Sequence, residues 1–494
     1  MHSNKNHNLS LILVPIVIAI ILVTLSSSSF IHDRILLWDS AVFQLTGRMW
    51  ADGYVPYKDI WELKGPAIFI PSAIGYGLFH SNIGLYLIEV INLSITFFFV
   101  LKTFLLEFDK KKAIFYTGIT AIYYSALFTA NSVEEYYMPL LTLSFYLLYK
   151  YLYKNEDSAI RTFPPLFAFV FGLSLGYCLM SRLTNAVGIC AATLVLSMML
   201  LKYKEWANLL KCAAAFIAGF LVMTVPFFLY FYVNDALDEM WYGTFLFGLE
   251  YSSNSGFDII SLHGARHILL RMANLYLLFF AAILIIRDNK QSLFTGILWL
   301  TVALLSTVMF LRLNSFGHYY QITLPYTIAI FIELNKLYKQ TQNKRYLLYS
   351  KIAVYVFVFL GIVGAVNDIK HYFTLFHDYK EKEYAVYEGI ISRLPEDYKD
   401  SFQAYDCDTE LYLYFGINPA YPLPGGQSLI AHYGGSIVEK YQTMFRDGNA
   451  KYVLVYNTAD PVVQDILNTR YDLLFTSKST RGGDYHMYRL KDPE

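Results

Sequence analysis

The chain is poor in charge. Of its 494 residues, 16% are Asp, Glu, Lys or Arg, against about 25% in an ordinary soluble domain. The 39 basic residues equal the 39 acidic ones, so nothing favours a nucleic-acid partner. Cysteine is scarce. Cys178, Cys190 and Cys212 fall in apolar runs and Cys407 stands alone, so neither a metal-ligand spacing nor a disulfide framework follows. No Gly-rich nucleotide cradle is present, and no solenoid-type repeat.

Apolar sequence is abundant. Hydrophobic residues make up 56% of the chain and aromatics 18%, much of it in repeated runs of about 20 residues, the length that crosses a bilayer core. The fold class expected is a polytopic α-helical membrane protein of about 11 spans with interfacial helices and a C-terminal extracytoplasmic α/β domain. The first run, Leu9–Thr24, has the look of a signal peptide but is long and precedes many spans, so it reads as a retained helix with a cytoplasmic N-terminus. Ala67–Phe79 is too short to span and reads as a helix lying in the outer interface. Counting it as a span would turn the cluster Lys110-Lys111-Lys112 outward, against the positive-inside rule. With the cluster inside, lysines collect in the cytoplasmic loops. The lone arginines, the acids and His318 collect outside. This places residues 1–370 in a membrane domain with a first outer loop at 28–82. Residues 371–494 form a soluble domain. There Tyr379–Leu394 and Ser436–Phe445 read as helices, and Phe402–Asp406, Lys451–Tyr456, Tyr471–Thr476 and His486–Leu490 as strands.

The chemistry is concentrated in WDSAVFQLTGRMWADGYVPYKDIWELKGP, residues 38–66. Ala41, Val42, Leu45 and Met49 recur at helical spacing, which predicts a short helix over 40–51 with Asp39 at its N-terminal end. An Asp there is also a favoured helix cap. Gly53 to Tyr57 reads as a turn whose aromatics suit an interfacial belt or a sugar-stacking wall. Asp59, Glu62 and Lys64 follow, and a lysine at headgroup depth can snorkel or meet a lipid phosphate. Further on, Glu134 and Glu135 sit in an outer turn. Arg182 lies between two apolar runs, where an isolated charge calls for a partner or a ligand. Arg312 and His318-Tyr319 belong to a late outer loop.

These segments resemble the GT-C superfamily of membrane glycosyltransferases, most closely the branch of protein O-mannosyltransferases and lipid A aminoarabinose transferases. The likeness lies in the acid after the first helix (Asp39-Ser40), in Gly53-Tyr54-Val55-Pro56-Tyr57, and in Glu62-Leu63-Lys64-Gly65-Pro66 leading into an apolar helix. Asn131 to Pro139, Ser181 to Asn185 and Gly317 to Pro325 resemble later motifs. Gly65 stands where the family has a first Pro, and Ser40 where it has a second acid.

The resemblance implies an inverting transfer of a sugar from a polyprenyl-phosphate donor to a hydroxyl of a glycan, lipid or protein, at the outer face of the cytoplasmic membrane. It implies Asp39 as the catalytic residue and Lys64 as a donor-phosphate contact. Arg182, Arg312, His318 and Tyr319 are further candidates for the phosphate, and Tyr57, Glu62, Glu134 and Glu135 for the sugar or acceptor. A lipid phosphate is a weakly basic leaving group, so one carboxylate acting as general base suffices. No cofactor is expected and no metal site is visible, with a divalent ion left open. Two other classes compete. A glycan transporter would place its ionisable residues near the bilayer midplane and show internal repeats. A polymerase or ligase of lipid-linked glycans would rely on a large late loop, whereas here the earliest loop is richest.

Overall fold

The computed structural model describes residues 2–26, 39–154, 161–249, 271–289, 292–312, 317–375, 381–433 and 435–492. The helices are α1 (His2–Thr24), α2 (Asp39–Ala51), α3 (Phe69–Phe79), α4 (Asn82–Phe104), α5 (Lys110–Ser125), α6 (Val133–Lys154), α7 (Pro165–Leu179), α8 (Val187–Lys202), α9 (Trp206–Val233) and α10 (Leu237–Trp241). There follow α11 (Ala273–Asp288), α12 (Leu293–Arg312), α13 (Leu324–Thr341), α14 (Arg345–Leu375) and α15 (Glu381–Ile391). The C-terminal segment adds α16 (Glu410–Phe415), α17 (Gln427–Tyr433), α18 (Ser436–Asp447) and α19 (Pro461–Arg470), with strands β1 (Phe402–Tyr405), β2 (Tyr452–Tyr456), β3 (Tyr471–Lys478) and β4 (Asp484–Leu490).

Among the described residues, five segments are long and apolar enough to cross a membrane: Asn82–Phe104, Leu183–Lys202, Trp206–Val233, Leu293–Leu311 and Arg345–Asn367. Shorter apolar helices run over Leu11–Thr24, Pro66–Phe79 and Pro165–Leu179. The long helices expose apolar flanks, such as Leu210, Ile217, Leu221 and Leu229 on α9 and Ile352, Tyr355, Phe359 and Val363 on α14. Water would penalise that surface and acyl chains would not.

Several helix ends have local causes. Asp109 caps α5 by accepting from the Lys112 N–H at 3.1 Å, an arrangement worth about 1 kcal/mol. The late motif is itself partly helical. Gly317–Thr323 is a 3-10 segment, and α13 starts at Leu324 with Pro325 in its first turn, where a missing N–H costs nothing.

The chain divides into two compact units. One comprises residues 1–26, 87–229 and 256–368, the other 27–86, 230–255 and 369–494. In the second unit the sheet runs β1-β2-β4-β3. β1 and β2 pair in parallel, and β4 pairs antiparallel to both β2 and β3. Its core is shared with the 39–66 segment. Ala41, Leu45, Met49 and Ile60 are buried together with Tyr387, Phe402, Leu411, Tyr412 and Leu454. Trp61 and Phe247 join Tyr405, Tyr441, Val453 and Leu467.

Candidate active site

In the second unit, Asp39 is the exposed first residue of α2, where the positive end of the helix dipole favours a carboxylate. The helix is seated closely. A Cβ on Gly47 would lie 2.4 Å from Ser72 Cβ, so α2 meets α3 nearly backbone to backbone. The turn after α2 is tightly tied. Tyr57 adopts φ 69°, a left-handed conformation costing a bulky residue about 1–2 kcal/mol. Several contacts offset this. Its N–H donates to the Ile60 carbonyl at 2.6 Å, and the Val55 N–H donates to Asp59 Oδ2 at 2.7 Å. The Tyr57 ring is 1% exposed and packs against Phe69 and Phe231, with centroids 6.0 and 5.4 Å away. Its hydroxyl donates to the Lys64 carbonyl and accepts from Thr244 Oγ1 at 3.2 Å. Tyr57 thus fixes the loop that presents Glu62 and Lys64.

Glu62 Oε1 accepts from the Lys64 N–H at 3.2 Å. Burial holds the Glu62 carboxyl above the usual carboxylate range; the Lys64 charge opposes this shift and the Asp39 charge adds to it. Asp39, Glu62 and Lys64 therefore share one electrostatic neighbourhood. Gly243 presses on this loop from the 230–255 segment. A Cβ there would lie 2.9 Å from the Glu62 carbonyl oxygen and 3.0 Å from the Tyr57 ring, so a side chain would push the loop out of place.

The first unit gathers charged side chains around Arg182. α7 ends at Leu179, and Arg182 sits in an extended conformation, φ −148° and ψ 107°, before a 3-10 turn at Leu183–Ala186. The break expected at Ser181-Arg182 is present. Arg182 Nη1 donates to Glu134 Oε1 at 3.1 Å, with the side chains 16% and 0% exposed. The guanidinium carbon lies 3.3 Å from the centroid of the Tyr319 ring, a cation–π contact. Glu134 engages one N–H of a group that carries five. Glu135 Oε2 accepts from the Asn131 N–H at 2.7 Å and closes the turn before α6. His318 stands edge-on to Tyr319 at 4.6 Å. Glu134 Oε2, Glu135 Oε1 and Asn185 Nδ2 are buried with no hydrogen-bond partner among the described residues. Such atoms mark a place where water or a polar ligand completes the set.

The sequence-predicted residues thus fall into two groups, Asp39, Tyr57, Glu62 and Lys64 in one unit and Glu134, Glu135, Arg182, His318 and Tyr319 in the other. Arg312 closes α12, and its side chain lies outside the described residues, as do residues 27–38. Sequence reasoning passed over Gln321. Its amide donates to Ser132 Oγ at 3.0 Å and its carbonyl accepts from Tyr124 at 2.7 Å, which ties the late motif to the turn of Glu134 and Glu135. It also passed over Glu89, fully buried in α4. The signal was available, a lone acid within an apolar run.

The fold that carries these groups is shared with a solved structure of a different protein. Among solved structures, ArnT, a lipid A aminoarabinose transferase, from Cupriavidus metallidurans in the apo state matches with a TM-score of 0.60 and 12% identity, over 98% of this chain and 98% of that one. The same enzyme bound to undecaprenyl phosphate matches with 0.58 and 13%, again over 98% of each. The archaeal oligosaccharyltransferase AglB from Archaeoglobus fulgidus gives 0.48 and 13%, over 92% of this chain and 70% of that one. No family model and no curated protein matches the sequence.

Proposed function

We propose that the chain is a membrane glycosyltransferase that moves a sugar from a polyprenyl-phosphate donor to a hydroxyl acceptor at the outer face of the cytoplasmic membrane. The observation that carries this reading is the likeness of fold over 98% of both chains to a protein solved with undecaprenyl phosphate bound. The acid of α2 is the carboxylate assigned to such a transfer. The acceptor oxygen attacks C1 of the sugar and Asp39 takes its proton. The C1–O bond to phosphate breaks from the opposite face, with inversion, and its electron pair leaves on the polyprenyl phosphate. Lys64, the donor-phosphate contact that the resemblance implies, is assigned to the charge that gathers there, and Arg182 is a further candidate for it; preorganised stabilisation of this kind lowers barriers most. His318 and Arg312 are assigned to the same phosphate, and Glu62, Glu134 and Glu135 to the sugar and acceptor.

The chain is read with its N-terminus in the cytoplasm and the C-terminal segment outside, because Lys110-Lys111-Lys112 then faces inward. About eleven spans follow from the lengths of the apolar runs.

The test is turnover of purified protein in nanodiscs with a polyprenyl-phosphate sugar and candidate glycan, lipid and peptide acceptors. Release of polyprenyl phosphate should depend on an acceptor. Asp39→Asn should lower it by roughly 10²–10⁴-fold, the worth of a general base, with folding intact. Unchanged turnover in that variant would reject the base assignment. Passage of the glycan across the bilayer with no bond cleaved would reject the transferase.

A further inference from the structure

We infer that Arg48 is a positioning residue for the transfer, fixing the helix that carries Asp39 to the C-terminal α/β segment. This rests on the reading of Asp39 as the base. Asp39 and Arg48 stand in the first and last turns of α2, roughly 13 Å apart along its axis at 1.5 Å per residue. Arg48 does not face a carboxylate in its hydrogen bonds. Its Nη2 donates to the Ile417 carbonyl at 2.5 Å and to Asn418 Oδ1 at 2.6 Å, and its Nη1 donates to the Tyr412 carbonyl at 3.3 Å. These acceptors surround the C-terminal end of α16, which closes on Gly416 in the left-handed region at φ 64°.

Of the three acceptors only the Tyr412 carbonyl belongs to α16, and it also accepts from the Ile417 N–H at 2.9 Å; the Ile417 carbonyl and Asn418 Oδ1 lie just past the helix. A planar guanidinium can meet all three at once from fixed directions, which an ammonium cannot. Around this fork Ala41, Leu45 and Met49 pack into one core with Leu411, Tyr412 and Ile417. From another side α2 meets α3, through Gly47 on Ser72 and Phe43 on Phe69 at 6.1 Å. The helix is clamped by two elements, and Arg48 is the polar half of one clamp. Loosening that end of a rigid helix moves the other end, where Asp39 stands. A displacement of about 1 Å at a reacting group can cost 10²-fold in rate.

The experiment compares Arg48→Met, Arg48→Lys and Asn418→Ala with wild type and Asp39→Asn, measuring kcat and donor KM per folded molecule. Arg48→Met should lose about 10- to 100-fold in kcat, with donor KM within about twofold of wild type. Arg48→Lys should recover part of the loss, and Asn418→Ala, which removes one of the three acceptors, should lose severalfold. A residue that only stabilised the fold would lower the yield of folded protein and leave kcat untouched. That outcome overturns the inference, as does a rise in donor KM at constant kcat. If Arg48→Met does not fold, the other two variants decide on the same readout. If Asp39→Asn abolishes turnover while the Arg48 and Asn418 variants match wild type, the inference alone fails. If Asp39→Asn turns over normally, the base assignment fails with it.

Discussion

Arg182→Ala should damage stability and activity for separable reasons. Glu134 is 0% exposed and Arg182 16%, so removing the guanidinium strands a carboxylate in a low-dielectric site. Breaking a buried pair from one side costs about 3–5 kcal/mol. Losing the stack on Tyr319 adds about 0.5–2 kcal/mol. The double variant Arg182→Met with Glu134→Gln removes both charges at similar volume and should recover most of that stability, because no orphan charge remains. It should not recover turnover if Arg182 also neutralises the donor phosphate. A charge-assisted hydrogen bond is worth about 1.5–3 kcal/mol, or roughly 10- to 150-fold in kcat/KM at 1.4 kcal/mol per decade. Thermal unfolding in nanodiscs reads the first effect, and polyprenyl-phosphate release reads the second. If Arg182→Ala melts no lower than the double variant, the buried-pair account is wrong. If the double variant turns over like wild type, Arg182 does not serve the phosphate.

Two further outcomes follow from the 57–64 loop. Tyr57→Phe keeps the buried ring and removes its hydrogen bonds to the Lys64 carbonyl and Thr244. It should cost about 1–2 kcal/mol and loosen the 57–64 loop, read as faster amide exchange at Lys64 and Gly65; protection equal to wild type would contradict this. Glu62→Gln tests the effect of burying a carboxyl. Its folded-state pKa is raised, so between the usual carboxylate value and the raised one the folded state holds more protons than the unfolded state. Stability then falls as pH rises through that window. Glu62→Gln, which keeps a carbonyl to accept from Lys64, should melt above wild type at pH 7 and lose its advantage below about pH 4, near the ordinary carboxylate pKa. A difference independent of pH would refute it.

Much of the helical framework was legible because its signals are local. Apolar runs bounded by lysines marked α4 and α9. The spacing of Ala41, Leu45 and Met49 marked α2, and short runs rich in Tyr, Val and Leu between turn residues marked the four strands. A cap signal was overlooked at α19, where Asp460 accepts from the Val462 and Val463 N–H groups and Pro461 opens the helix. That pattern is also local and could have been read. The isolated charge at Arg182 likewise announced a helix break and a partner, since apolar surroundings tolerate neither an unpaired guanidinium nor an unsatisfied backbone.

What the sequence determined by itself was which segments are apolar and which residue types stand where chemistry is possible. Tertiary structure alone decided who meets whom. Glu134, 48 residues from Arg182, is its counter-ion, and Tyr319 is the ring beneath it. The 39–66 segment meets the C-terminal segment through the hydrogen bonds of Arg48 and the packing of Trp61, across more than 300 residues of sequence. Pairings at such separations leave no periodicity or spacing behind. They depend on how buried charges and open helix ends find partners once the chain has closed on itself.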